Sequence, residues 1–458
     1  MSSHDSPLIC RAAEDPIAYI STKLKCLGEL SGTISAQQFL DHVRQLAEKL
    51  PEQRHAINLC GNRYLFMVAL CAVIVRKQTN LLPPNTHLTT QEMLNRRYEN
   101  SYILHDGIEA SDNIEQFDLA KTTLTSSNTD FNIPRIAREH LAVISFTSGS
   151  TGDSKPNHKT WHTLVASTEI NRRYMLPRSD QTFYQLATVP GQHMWGLETS
   201  VLLALHANVC STDSQAFYPY DICKQLAALP TPRMLVSTPV HLRTLAKADI
   251  TYPALSGVLC ATAPLSQTLA NDIEVKFSTT LREIYGCSEI GSMALRITAD
   301  EMRWQRFEGI NFTRKDQHLV TVCADHIAQA VTLNDHIELL DETHFMLSGR
   351  EADMINIAGK RGSLYEINQL LQSFPGLADG IVFLPPQEQT VPRLAAMVVL
   401  ANGSTREQLI DYLRQHLDKA FIPRTILKTP SLPREKNGKL PRNRLLEHYT
   451  LLKNTKNP

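Results

Sequence analysis

Apolar residues recur at helical spacing over residues 36–50 (AQQFLDHVRQLAEKL), and Pro51 closes the run. Residues 57–60 form a short, mostly apolar run, and residues 64–75 are apolar almost throughout, which predicts a helix buried on every side. Residues 85–134 are polar and uneven, so loops and short elements are expected there. From Leu141 the pattern sharpens. Residues 141–146 (LAVISF) are apolar and β-branched, a Ser/Thr/Gly cluster follows, and a helical stretch starts at Thr160. Strand-like runs recur at 234–236, 257–259 and 282–285, with helical stretches between some of them. That alternation predicts an α/β domain with substantial parallel pairing. Residues 312–346 alternate in short runs, as an antiparallel segment does.

The last hundred or so residues predict a separate small α+β unit. Residues 363–374 form an amphipathic helix, 380–384 and 394–400 are strands, and 405–417 form a second helix with Thr405 as N-cap. The hinge is placed near 347–353, which divides the chain into a large N-terminal α/β domain, 1–349, and a small C-terminal domain, 350–458.

Composition narrows the function classes. The chain has 458 residues, 46 Lys+Arg against 46 Asp+Glu, and 42% apolar residues, enough for a large core. Zero net charge removes the electrostatic argument for a nucleic-acid partner. The apolar run at 64–75 is far shorter than the roughly 20 residues a membrane span needs, so no span is expected. The N-terminal MSSHDSPLIC lacks the pattern of a signal peptide. Nine scattered cysteines with no C-x-x-C argue against a disulfide scaffold or a zinc ribbon, and a reducing cytoplasm is the simplest compartment.

The first chemical signal is Phe146-Thr147-Ser148-Gly149-Ser150-Thr151-Gly152-Asp153-Ser154-Lys155. Two of the chain's 19 glycines fall within four residues, among four hydroxyl side chains. Gly149 and Gly152 permit backbone shapes that turn N–H groups toward an anion. Thr147, Ser148, Ser150 and Thr151 add donors, and Lys155 adds a positive charge, a set able to hold a triphosphate. A solvent-exposed polar loop has the same composition, and G-x-x-x-x-G-K-[ST] is not satisfied, which disfavours a P-loop kinase.

Tyr285-Gly286-Cys287-Ser288-Glu289 ends a strand-like run with a carboxylate just past it. Ligands of open α/β sheets gather at such ends. Glu289 suits Mg²⁺, and Ser288 suits a phosphate oxygen. Asp335 can accept from ribose hydroxyls, and Arg350 can fork onto oxygen acceptors. Lys439, after Gly438 in a basic stretch at 432–442, is a cation able to reach a reacting phosphate. Taken singly, each has a plainer reading as a solvated acid, a surface ion pair or a basic flexible tail.

In this order the pieces resemble the ANL superfamily of adenylate-forming enzymes: acyl-CoA synthetases, adenylation domains and luciferases. The phosphate-loop pattern [YF]-T-S-G-[ST]-T-G-x-P-K-G matches most of 146–155, and Y-G-x-[ST]-E matches 285–289. The G-R-x-x-D…G-x-R…E-I pattern resembles 349–367, with Asp353, Gly359, Arg361 and Glu366 in place. The terminal P-R-x-x-x-G-K-x-x-R resembles 433–442. Cys260-Ala261-Thr262-Ala263-Pro264-Leu265 resembles the family's stretch beside the adenine.

The resemblance implies a large AMP-binding, acid-binding domain and a mobile C-terminal lid. It also implies two half-reactions. A carboxylic acid attacks the α-phosphorus of ATP, giving an acyl-adenylate and pyrophosphate. A phosphopantetheine thiol of CoA or an acyl carrier protein then displaces AMP. In this reading Lys439 is the adenylation lysine and Glu289 the magnesium carboxylate. Residues 147–155 grip pyrophosphate, and Asp335 and Arg350 contact ribose. Where amino-acid-activating members place an Asp, this chain offers His193, typical of members that take fatty or aryl acids. The stretch G-Q-H-M-W-G-L-E also resembles small synthetases of bacterial aryl-polyene pathways, which load an aryl or unsaturated acid onto a carrier protein. A non-thiol acceptor, and a non-catalytic nucleotide-binding relative, are the alternatives. Departures are Ser154 for the usual Pro, Pro156 for Gly, Asn334 for the Gly before the ribose acid, and Ala352 at the hinge position.

Overall fold

The helix Arg63–Val75 begins where Asn62 accepts a hydrogen bond from the Leu65 amide, and every residue from Arg63 to Ile74 is buried. A helix apolar on all sides has to sit inside a layer, and this one packs on the parallel strands that precede and follow it. The computed structural model describes residues 5–28, 30–126, 130–147, 155–177, 180–316, 319–350, 353–357, 360–386, 393–435 and 440–455. They fold as two units.

The first unit comprises Met1–Ser237, Ala248–Cys260 and Lys276–Met293. One of its sheets runs Lys155–Thr160, Leu141–Thr147, Thr79–Leu82, His55–Asn58, Ser101–His105, Gln116–Asp118. Its first pair is antiparallel and the rest are parallel. The inner strands Thr79–Leu82 and Ser101–His105 are buried throughout, as parallel strands covered on both faces must be. In a second sheet, Leu281–Cys287, Gly257–Cys260, Arg233–Ser237, Phe183–Ala187, Val209–Thr212 and Pro16–Ile20 are parallel neighbours in that order. The expected parallel α/β pattern is therefore present. The polar region 85–134 holds more order than its composition suggests, since Ser101–His105 is a central strand.

The second unit comprises Thr238–Lys247, Ala261–Val275 and Ala294–Pro458. Trp304–Arg306, His344–Arg350 and Asp335–Leu339 pair antiparallel, as the alternating pattern predicts. Further along, the helices Leu364–Gln372 and Arg406–His416 cover a three-stranded sheet of Leu377–Phe383, Ala395–Leu400 and Thr425–Lys428. Thr405 caps the second helix in a reciprocal capping box with Gln408. Ile357, Ile367, Leu371, Val398, Leu409 and Leu413 form the core between them. A last helix, Arg442–Thr455, follows the basic stretch and packs Leu445 and Tyr449 on Phe383 and Met397.

Asp379 on this sheet is the hub of an ionic cluster. Arg434 donates from Nε and Nη2 to its two carboxylate oxygens at 2.7 and 2.8 Å. Arg243, on the helix Pro239–Lys247, approaches the same carboxylate at 3.9 Å, and Lys247 of that helix donates to the Leu377 carbonyl at 2.6 Å. Burial lowers the Arg243 guanidinium from its ordinary range, against the pull of Asp379.

Candidate active site

Leu141–Thr147 and Lys155–Thr160 pair antiparallel with Thr147 opposite Lys155. The sheet thus brings the two ends of the glycine-rich segment side by side at its edge. Ser148, Gly149, Ser150, Thr151 and Gly152 lie outside the described residues. Lys155 is exposed. Along its strand Asn157 and Lys159 are buried and His158 between them is exposed, the alternation of a pleated strand, while Lys155 shares their face but is exposed where the strand begins.

The inward Lys159 is 1% exposed. Its ammonium donates to the main-chain carbonyl of Glu289 at 2.5 Å. Glu289 follows the strand Leu281–Cys287, and the chain turns back at once into Gly291–Arg296. Gly286 has no room for a side chain: a Cβ there would sit 2.4 Å from the Gly291 carbonyl oxygen and 2.9 Å from the Ser292 Cα. Gly291 takes φ +106°, and a Cβ on it would lie 2.4 Å from Glu198 Oε1. This tight return leaves the Glu289 side chain exposed, with Tyr285 and Ser288 partly so.

Glu198 meets the same turn at Ser292. Its carboxylate accepts from the Ser292 amide at 3.2 Å and from the Ser292 hydroxyl at 2.7 Å. Burial pushes the Glu198 carboxyl up and pulls the Lys159 ammonium down, and each charge opposes the shift of the other. Neither residue was singled out from the sequence. The only trace of Lys159 is a lysine at an inward position of a strand that reads as polar on both faces.

Glu198 lies on a π-helical stretch, Leu197–Leu202, that continues the turn Met194–Gly196. His193 precedes this turn and is partly exposed. Its carbonyl accepts from the Leu197 amide at 2.7 Å. Gly196 is forced, because a Cβ there would lie 1.9 Å from the Pro190 carbonyl oxygen. Below, the buried Arg63 donates from Nη2 to the Ala187 and Val189 carbonyls at 3.0 and 2.7 Å, and Gln192 donates to the Cys60 carbonyl at 2.9 Å. Burial lowers the Arg63 guanidinium to about 10. His193 therefore rides on a segment fixed at both ends. Trp195 is buried and donates to the Ser237 carbonyl at 3.3 Å, and Met293 is fully buried in the core.

In the second unit, Asp335 and Arg350 are cross-strand partners in register, although fifteen residues apart in sequence. A register irregularity after His336 and the positive φ of Gly349, +117°, shape the strand pair beside them. Ala261, Thr262 and Ala263 follow the strand Gly257–Cys260. Ala261 is buried, and Thr262 is exposed with φ +85°, a left-handed backbone that a β-branched residue rarely adopts. Lys439 and Ala352 lie outside the described residues.

No group of three or more His, Cys, Asp or Glu able to hold a metal occurs among the described residues. Mg²⁺ does not need one, since it binds through one or two carboxylates plus substrate phosphates. The exposed Glu289 carboxylate fits that mode. No helix among the described residues is long and apolar enough to cross a membrane.

The class of the protein, an adenylate-forming enzyme, is given by its family matches. The chain belongs to the AMP-binding enzymes: residues 31–319 match that family, and 366–439 match the AMP-binding enzyme C-terminal domain. It is 27% identical to the 4-coumarate–CoA ligase of Halorhodospira halophila over 315 residues, covering 66% of this chain and 76% of that one. Identity to the 2-succinylbenzoate–CoA ligase of Staphylococcus aureus is 25% over 349 residues, covering 69% and 68%. Two solved structures share the fold. The ATP-bound MatB of Rhodopseudomonas palustris has a TM-score of 0.78 at 17% identity, covering 96% and 97% of the two chains. The O-succinylbenzoate coenzyme A synthetase of Bacillus subtilis, in complex with ATP and magnesium ion, has 0.78 at 17%, covering 96% and 99%.

Proposed function

We propose that this chain is an AMP-forming acid–thiol ligase that activates an aryl or fatty acid and passes the acyl group to a phosphopantetheine thiol. The observation that carries this reading is the clamped turn of Tyr285–Glu289 in a chain of this family. It presents an exposed carboxylate past a strand end, in the unit whose sheet edge joins the two ends of the glycine-rich segment. Both curated relatives named above are aryl-acid CoA ligases by name, which supports an acid of that kind. The two family matches, 31–319 and 366–439, support a binding domain followed by a lid, with the division proposed at 349/350 falling in the stretch 320–365 between them.

In the first half-reaction a substrate carboxylate oxygen bonds to the α-phosphorus of ATP. The α–β bridging bond breaks and pyrophosphate leaves. The main-chain donors and hydroxyls of 147–152, with Lys155, hold the departing phosphates. Lys439 offsets the charge that develops at the α-phosphorus. Asp335 and Arg350 orient the ribose, Ala261 to Ala263 border the adenine, and Glu289 would hold Mg²⁺ with the phosphates. The ion, when bound, supplies neutralising charge to the phosphates. His193 borders the acid. In the second half-reaction a thiolate attacks the acyl carbonyl and AMP leaves with the bonding pair. CoA and an acyl carrier protein carry the same thiol.

The test is pyrophosphate release with Mg-ATP across aliphatic acids, benzoates, cinnamates and amino acids. Release with an aryl or fatty acid, and none with amino acids, is expected. Silence across the whole panel while ATP still binds would overturn the reading. Product analysis with CoA and with a phosphopantetheinylated carrier protein then names the acceptor. Glu289→Gln keeps the shape and loses the charge. It is expected to raise the Mg²⁺ concentration needed for half-maximal release by about tenfold or more, at least the loss seen when outer-shell partners of a metal are removed. An unchanged magnesium requirement would remove Glu289 from the site.

A further inference from the structure

Lys159 lies outside the motifs that carry the family resemblance, and Glu198 only ends the G-Q-H-M-W-G-L-E stretch with no role given to it, yet both are buried and bond to the turn that bears Glu289. Lys159 is 1% exposed and Glu198 2%. A lysine at that depth is costly unless its charge is answered, and an acid at that depth is costly too. Their shared neighbour explains the placement. The turn is crowded: a side chain on Gly286 would meet the main chain of Gly291 and Ser292, and one on Gly291 would meet the Glu198 carboxylate. Its inward polar groups still need partners. Lys159 meets the Glu289 carbonyl from the side of the phosphate-loop strand, and Glu198 meets the Ser292 amide and hydroxyl from the side of the His193 helix.

We infer that Lys159 and Glu198 are positioning residues for the Glu289 carboxylate, a buried pair of opposite charges that holds the turn at Glu289 and at Ser292 and so sets where the magnesium-binding oxygen stands. This rests on the reading of Glu289 given above. The glutamate whose side chain would hold the ion is the one whose carbonyl Lys159 holds. Loss of that bond frees the main chain directly beneath the carboxylate. The pair also ties together three separate segments of the first unit: the strand that leaves the phosphate loop, the turn after Tyr285 and the helix after His193. Lys155, where the described chain resumes after the glycine-rich segment, is four residues from Lys159 on one strand. A purely structural ion pair would cost stability when broken but would leave the magnesium response of the folded protein alone.

The experiment is calorimetric titration of the full chain with ATP, with and without Mg²⁺, alongside thermal unfolding. For the wild type Mg²⁺ is expected to strengthen ATP binding. In Lys159→Met the affinity without Mg²⁺ should stay as in the wild type, while the strengthening by Mg²⁺ falls by about tenfold, the lower end of the loss for outer-shell residues. Lys159→Arg, which keeps a donor and a charge, should recover part of it. If Lys159→Met does not fold, the double variant Lys159→Met/Glu198→Gln, which removes both buried charges together, is read instead and should show the same loss. A folded variant with the full wild-type magnesium response overturns the inference. A wild type whose ATP binding ignores Mg²⁺ overturns the reading of Glu289 and the inference with it.

Discussion

Replacing Lys439 with alanine is expected to lower pyrophosphate release roughly 10²–10³-fold, the loss typical when one preorganised charge partner is removed from a reacting centre. Attack on the α-phosphorus piles negative charge on its oxygens. A cation delivered there stabilises the transition state more than the bound ATP, so kcat falls further than KM rises. The second half-reaction develops its charge at a carbonyl instead. Thiol transfer from supplied acyl-adenylate should therefore fall far less. Single-turnover rates of the two half-reactions decide the matter, and an equal loss in both would remove the assigned role from Lys439.

The second large effect is steric. A methyl group on Gly286 would lie 2.4 Å from the Gly291 carbonyl oxygen and 2.9 Å from the Ser292 Cα, both main-chain atoms with no rotamer to give way. Relief requires the return after Glu289 to open. Gly286→Ala is expected to cost about 1–3 kcal/mol of stability, as overpacking does. Turnover should fall more steeply, roughly 10²-fold, because a misplacement of about 1 Å is enough for that. Denaturant unfolding and pyrophosphate release on the same preparation test both. Wild-type stability together with wild-type turnover would mean the turn is not fixed as described.

Much of the fold can be read from the chain because apolar material is concentrated in short β-branched runs and strong helical stripes. The helix Arg63–Val75, the strands Leu141–Thr147, Arg233–Ser237 and Gly257–Cys260, and the Thr405 cap all follow from pattern alone. Ser101–His105 does not. Its five residues SYILH sit in a polar neighbourhood, and their burial is decided by pairing with His55–Asn58. Lys155–Thr160 is a strand with no apolar signal except Pro156, placed by its pairing with Leu141–Thr147. The same register hides Lys159, whose burial is a property of the pleat and of the turn it faces. Asp335 and Arg350 were each legible as polar groups of suitable chemistry, but their position opposite one another needs the strand pairing that no local pattern states.

The cluster around Asp379 has a consequence for how the protein responds to ionic strength. The side chains of Arg434, Asp379 and Arg243 are 19%, 20% and 15% exposed, so dissolved ions screen them weakly. Exposed pairs such as Arg414 with Asp411, at 64% and 66%, are open to that screening. Added salt therefore weakens the outer pairs first. The helix Pro239–Lys247 keeps its ionic hold on the strand Leu377–Phe383 under conditions that erase the surface charge pattern.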